Sequence, residues 1–484
     1  MKQRYPREFA TSAIKLITFR RWLLLFVTYF LFSCKKLVEI GPPANSITTS
    51  QTFADSANAT SAILGIYSKM SEDPFTLAIG NGAVTTFTGI YSDELVPFGQ
   101  GAGIGSIYSC LLTTTGTAAN QISNFIWKSA YSYIYQANAC IDGLEKSTGI
   151  SSAVKNHLIA ETKFLRAFIY FNLVNIFGDV PYVTSINFRE TAQQPRTPTS
   201  EIYSALIADL ESSKDKFLFE FPNGMRSRAS KWSTLALLSR LYLYNNNNWA
   251  KAEETASAII NRNDIFILNS DLNKVFEPDG KEAILQWYKN RFNVTAEGFN
   301  LIPFPGDFPP YRLSNQLLAA FETNDKRRQD WVKYDVYNGN YYFPYKYKNY
   351  RLNPNGSTTE NYTILRLAEQ FLIRAEARAQ QNNLSGATSD LNVIRNRAGL
   401  PNLSDTLTQA QVLDTVSQER RIELFAEWGH RWYDLKRTGK ADAVMSVVAP
   451  LKNGGVPWQS FRKLWPIPNS EIFANPFLVQ NPAY

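Results

Sequence analysis

The chain is short of the residues that build most reaction centres. In 484 residues it has three cysteines and two histidines, His157 and His430. That excludes a disulfide-stapled scaffold, and no His/Cys metal centre is expected. Neither HExxH nor CxxC occurs, and there is no GxSxG elbow and no GxxxxGK[ST] phosphate loop. Glycine, at 25 residues, is too scarce for a collagen-like fibre. No apolar run approaches the roughly twenty residues of a bilayer-spanning helix, which excludes a polytopic helical membrane protein.

What the chain does hold is apolar and aromatic. The apolar content is 44%, enough for one large domain or two to three ordinary ones, and it excludes disorder. Aromatics make up 14%, a stock that suits a polysaccharide or peptide binder and equally a well-packed helical protein. The net charge of +8 invites a nucleic-acid partner, but its location argues otherwise. Residues 1–33 carry six basic groups and one acid, so without them 44 bases face 41 acids, a balance of +3. No nucleic-acid footprint remains.

Those first 33 residues have the layout of a secretory leader. Basic residues end at Arg20-Arg21, an eleven-residue apolar run follows from Trp22 to Phe32, and then come Ser33 and Cys34. Cys110 and Cys140 are left over; they could pair or stay free, and spacing does not decide.

Helical periodicity dominates the rest. It predicts helices over Ala57–Met70, Ile126–Lys146, Val154–Phe177, Ser200–Lys214, Lys231–Tyr244, Ala250–Asn261, Leu367–Gln380, Ser385–Arg397 and Gln409–Arg437, with a short strand at Ala283–Tyr288. Two stretches look like copies. Leu237, Leu241 and Tyr244 precede an Asn-rich turn and then Ala252, Ala256 and Ile259. Leu372, Ala375 and Ala379 precede a Gln/Asn turn and then Ala387, Leu391 and Ile394. Both follow the pattern of tetratricopeptide-like helix hairpins, in which small residues let the paired helices approach closely. Residues 287–312 and 331–356 are instead rich in aromatics, Pro, Asn and Gly with little periodicity, as is Pro97–Thr117, so they are expected to be long irregular loops. The Gly99–Gly105 alternation reads as a flexible loop.

Four segments then match one family. They are Ala160-Glu-Thr-Lys-Phe-Leu-Arg-Ala-Phe-Ile-Tyr-Phe running to Gly178-Asp179-Val180-Pro181; Ile373-Arg374-Ala375-Glu376-Ala377 with Leu391-Asn392-x-Ile394-Arg395-x-Arg397-Ala398-Gly399-Leu400; Glu419-Arg420-Arg421-x-Glu423-Leu424 with Glu427-Trp428-Gly429-His430-Arg431-Trp432-Tyr433-Asp434; and the tail Leu464-Trp465-Pro466-Ile467-Pro468 to Tyr484. Together they resemble the SusD/RagB outer-membrane lipoproteins. Leu31-Phe32-Ser33-Cys34 resembles a lipobox, with Phe32 where a small residue is usual. The resemblance implies a mostly helical, tetratricopeptide-like fold with long irregular loops and a few short strands. It also implies a lipid anchor at Cys34 in the outer membrane, and a SusC-type TonB-dependent transporter as partner. An oligosaccharide or peptide nutrient would be captured and passed inward. The expected organisation is a leader over 1–33, a SusD-like region over 34–230 and a SusD/RagB region over 231–484.

The charged residues of the matched motifs, among them Arg166, Glu161, Arg420, Arg421, Glu423, Glu427, Arg431, Asp434 and Arg437, sit at ion-pair spacings and are expected to be scaffold. So are Phe164, Phe168 and Phe171, at core spacing. Ligand binding falls instead to the loops, because sugar C–H faces lie against π-clouds while hydroxyls seek polar rims. The candidates are Phe98, Tyr108, Trp287, Tyr288, Phe292, Tyr311, Trp331, Tyr341 and Tyr342, with Asn290, Arg291, Asn293 and Arg312 as polar partners. At least two of the rings are expected to bind. No catalytic residue, metal or cofactor is expected. The adjacent acids Asp93-Glu94 read as a structural turn rather than a hydrolytic pair. Two other classes stay in view: a lipid-anchored glycan hydrolase, and a helical-repeat adaptor whose loops bind only protein.

Overall fold

Amphipathic patterning produces the helices where it is strongest. In chain order the longer ones are α1 (Ser56–Ser71), α2 (Ala83–Tyr91), α3 (Thr117–Lys146), α4 (Ser152–Phe177), α5 (Thr199–Ser213), α6 (Lys231–Tyr244), α7 (Trp249–Ile260), α8 (Leu367–Gln380), α9 (Leu384–Arg397), α10 (Gln409–Glu423), α11 (His430–Arg437) and α12 (Ala441–Lys452). This computed structural model describes residues 48–71, 77–99, 101–114, 117–245, 248–278, 280–288, 292–335, 341–353 and 359–484. The leader, Cys34, Asn290 and Arg291 lie outside the described residues. All the elements named here belong to one compact unit, Thr52–Tyr484.

Start signals are made locally. Ser230 and Ser233 form a reciprocal capping box at the start of α6, and Thr408 and Gln411 do the same for α10. The two predicted hairpins, α6/α7 and α8/α9, stand side by side, with α7 packed on α8. Ala252, Ala256, Ala375, Ala379 and Ala387 are fully buried at these seams, so the backbones approach without large side chains between them. Helices α3 to α5 lead into the same array, α3 against α4, α4 against α5, and α5 against α6. Phe164, Phe168 and Phe171 are buried, as expected of core. Cys110 and Cys140 are buried free thiols.

The strands are short and pair antiparallel in three two-stranded sheets. β1 (Leu95–Pro97) pairs with β3 (Tyr311–Leu313), β2 (Ala283–Trp287) with β6 (Tyr362–Arg366), and β4 (Val332–Tyr334) with β5 (Tyr342–Pro344). Two expectations need correction. The Gly99–Gly105 stretch is not loop throughout, because Ala102–Tyr108 forms a short helix. The stretch Gln409–Arg437 is not one helix. It stops at Glu423 and restarts at His430, with Ala426, Trp428 and Gly429 at positive φ.

The break has an electrostatic partner. Lys346 Nζ and Arg366 Nη2 both donate to the Glu423 carbonyl, each at 2.7 Å. They replace a helical bond that the next turn would have supplied. Around this point, among the described residues, five cations (Arg327, Lys346, Arg366, Arg395, Arg397) meet six carboxylates (Glu282, Glu322, Asp325, Glu419, Glu423, Glu427). Burial alone would raise the Glu423 carboxyl; Arg397, Arg366 and Arg327 outweigh it and hold the group far below the usual carboxylate range. The motif charges are therefore scaffold. Others cross the array: Arg240 bonds Glu369 through two 2.6 Å contacts, Arg228 pairs with Glu161, and Arg166 with Asp209.

Candidate functional site

The strand that carries the first candidate ring is fixed from behind. Asp93, just before β1, accepts from Arg431 Nε at 2.7 Å and from Arg421 Nη2 at 2.7 Å. Burial opposes its charge, and Arg431 with Arg421 restores it, so the carboxyl lies below its ordinary value. The neighbouring Glu94 is buried beside that charge and is pushed up to about 8 by burial first and Asp93 second. Burial thus favours its protonated form. Ser314 N donates to the Glu94 carbonyl at 2.8 Å, and the ladder Leu95↔Leu313, Val96↔Arg312, Pro97↔Tyr311 continues outward. Lys452 caps the end of α2 by donating to the carbonyls of Ile90, Tyr91 and Ser92. The pair Asp93-Glu94 is thus the structural turn expected of it.

At the outer end of that ladder the rings emerge into solvent. Phe98 N donates to the Pro310 carbonyl at 2.9 Å, which holds the two loops together. Phe98 stacks on Phe308, centroids 4.1 Å apart and planes at 13°. Tyr341 meets Phe308 edge-on at 6.3 Å, and the Arg312 guanidinium lies 5.0 Å from the Tyr341 centroid. Phe98 is 51% exposed and Phe308 42%. Half-buried Tyr108 is raised by burial, with Arg312 acting against the rise, which places its hydroxyl within electrostatic reach of that guanidinium. The structure thus brings together Phe98, Tyr341 and Arg312 around a ring, Phe308, that was not among the candidates, with Tyr108 in electrostatic reach of Arg312.

The other candidates are scattered. Half-buried Tyr342 stands against Tyr334 at 5.1 Å and under Arg328 at 4.2 Å. Tyr288 is 51% exposed, on the rim of a cleft of about 10 Å³ that leaves room for one water at most. Phe292 is half-buried, its carbonyl taking the Asn353 N–H at 2.9 Å. Asn293 is buried and donates to the Asn353 carbonyl at 2.7 Å.

Trp287, Trp331 and Tyr311 are corrections. Trp287 is 1% exposed, packed edge-on against Tyr67 and Phe168, its indole N–H donating to the Gly80 carbonyl. Trp331 is fully buried; its indole donates to the Leu272 carbonyl at 2.8 Å and the Lys346 ammonium lies 4.6 Å above its ring. Tyr311 is buried in the ladder. All three sit on or beside strands whose inner face seals the core. The strand of Trp287 is covered on both faces, and an aromatic-rich stretch with no clear period does not mark which rings are covered.

Sequence reasoning also missed a groove of about 370 Å³ between α3, residues 181–192 and the carboxy-terminal tail, where Trp127, Tyr131, Tyr135 and Phe188 line the wall. The four-residue spacing of the first three, which puts them on one face of a helix, was the available signal. A second cavity of about 320 Å³ lies among Trp249, Gln380, Arg420, Arg437 and Lys440. Among the described residues, no group of three or more His, Cys, Asp or Glu is placed to hold a metal ion, and no helix is long and apolar enough to cross a membrane.

Fold and site together define a class: stacked helix pairs, braced by buried ion pairs, that display aromatic side chains on loops at one end of a short ladder. Comparison with known proteins places it further. Residues 322–484 match the profile of the SusD family, and residues 103–243 match the family described as starch-binding associating with outer membrane. Together these two SusD-type matches, one in each half of the chain, support membership of the SusD/RagB family. A SusD-like protein of Formosa agariphila is 27% identical, covering 96% of this chain and 99% of the relative. The starch-binding protein SusD of Bacteroides thetaiotaomicron is 23% identical, covering 70% of this chain and 75% of the relative. Among solved structures, the surface glycan-binding protein A of B. thetaiotaomicron superposes with a TM-score of 0.73 at 21% identity, covering 89% of this chain and 99% of its own.

Proposed function

We propose that this protein is a non-catalytic nutrient-binding lipoprotein of the outer membrane, tethered through a lipid on Cys34. It binds an oligosaccharide, or alternatively a peptide, and passes it to a SusC-type TonB-dependent transporter. The division into a leader over 1–33 and regions over 34–230 and 231–484 is part of the same proposal. The reading rests on one observation, the open Phe98–Phe308–Tyr341 platform with Arg312 at its edge and Tyr108 in electrostatic reach of Arg312. Such rings offer flat apolar faces on a fixed ladder, so little conformational freedom is lost when a sugar docks. Each stacked ring contributes on the order of 1 kcal/mol, and a few together give affinities of about micromolar to millimolar, suited to capture and release. The names of the relatives, starch-binding and glycan-binding, point the same way.

Calorimetry of the purified chain against a panel of oligosaccharides and peptides tests the proposal. Binding that weakens in Phe98→Ala and Phe308→Ala supports it. A folded chain that binds no member sinks it, and release of cleaved products would point to a hydrolase instead. Separately, Cys34→Ala should move the protein out of the membrane fraction; retention there would refute the anchor.

A further inference from the structure

We infer that the ligand of the ring platform carries acidic groups, uronate carboxylates or sulfate esters on a glycan, and that Arg312 selects them. This rests on the proposed binding role of the platform and goes further in naming the ligand's charge.

The observation is a cation without a counter-charge. Buried or half-buried arginines of the scaffold, such as Arg240, Arg366, Arg397 and Arg431, each meet a carboxylate, and Arg226 donates to the carbonyls of Ala283 and Ile265. Arg312 is half-buried, and among the described residues it meets neither a carboxylate within ion-pair distance nor a carbonyl. Its guanidinium lies over the Tyr341 ring instead. Arg328, over Tyr342 on the adjoining strand, is in the same position.

The acids nearby do not neutralise it. Asp93 is taken by Arg421 and Arg431, and Glu94 is buried and holds its proton to about 8. Asp307 is exposed on the Phe308 loop and forms no ion pair among the described residues, while the ammonium of Lys452 adds positive charge 5.1 Å from the Tyr108 ring. A guanidinium that rests its face on a tyrosine keeps its edge N–H groups free. That edge matches the two oxygens of a carboxylate or sulfate. A sugar stacked on Phe98 and Phe308 would bring its substituents to this edge, and a hydroxyl there would gain much less than an anion.

The test is calorimetry with matched pairs differing only in charge: tetragalacturonate against its carboxyl-reduced neutral tetramer, and a sulfated carrageenan tetramer against its desulfated form. The expected result is about tenfold tighter binding of the charged member of at least one pair. The gap should narrow as salt rises from 50 to 500 mM, as screening requires. Arg312→Ala should close it, and Arg312→Lys, which keeps the charge but not the fork, should restore part of it. The two chemistries separate by which pair shows the gap. Equal binding of charged and neutral members, still lost in Phe98→Ala, overturns the charge inference and leaves the proposed function standing. No binding of any member, nor of the wider panel, overturns both.

Discussion

Arg366 is the most heavily engaged group in the buried ion network, and removing it has a calculable consequence. It makes five charge-assisted bonds. Nε donates to Glu427 at 2.8 Å, Nη1 to Glu423 at 2.6 Å and to Glu282 at 3.1 Å, and Nη2 to Glu427 at 2.9 Å and to the Glu423 carbonyl at 2.7 Å. Arg366→Met keeps an apolar stem of similar length and leaves four cations facing six carboxylates, their side chains all buried except that of the exposed Glu322. The survivors do not fully compensate, because Glu427 keeps only Lys346 as a charged partner. Removing one partner of a buried pair costs about 3–5 kcal/mol, mostly through the charge left behind. Urea unfolding at pH 7 should show a lower midpoint with the slope unchanged. Adding Glu427→Gln to Arg366→Met should recover part of the loss by removing the orphaned charge. As a control, Lys231→Met breaks an exposed pair with Asp215 and should cost no more than about 1 kcal/mol. If Arg366→Met costs no more than that control, the network is not what sets the break between α10 and α11.

Three further outcomes follow from the same geometry. Trp331→Ala should lose about 3–5 kcal/mol of stability, whereas Phe98→Ala should leave the unfolding midpoint nearly unchanged and weaken ligand binding; the reverse pattern would contradict the assignment of core and platform. Gly429→Ala should destabilise by about 1–3 kcal/mol, since φ is +72° and a Cβ would meet Thr88 Oγ1 at 2.9 Å. Glu94→Gln should flatten the pH dependence of stability. The folded state keeps the Glu94 proton to about 8 while the unfolded state releases it near 4.5, so its contribution is full below 4.5 and fades as pH rises to 8. Glu297 and Glu360, both raised to about 7 by burial, act with the same sign, so the difference between wild type and variant isolates Glu94.

Much of the scaffold was legible in advance. The helix predicted over Lys231–Tyr244 has those same bounds, and the paired hairpins with their alanine seams stand where the period placed them. The motif charges read as scaffold because their spacing of three and four residues is itself an ion-pair geometry. The site was legible only in part. Phe98, Tyr341 and Arg312 converge with Tyr108 in electrostatic reach of Arg312, Phe308 was passed over, and Trp287, Trp331 and Tyr311 went into the core. Loop rings carry no period that separates an inward from an outward face.

Local sequence therefore set the helices, their caps and their small-residue seams, since these depend on neighbours within a turn or two. The break after Glu423 and the exposure of each ring depended on partners far along the chain: Lys346 and Arg366 for the first, and the pairing of β1 with β3 for the second. Which aromatic meets water is decided by what the fold places behind it, and that is a property of the assembled molecule.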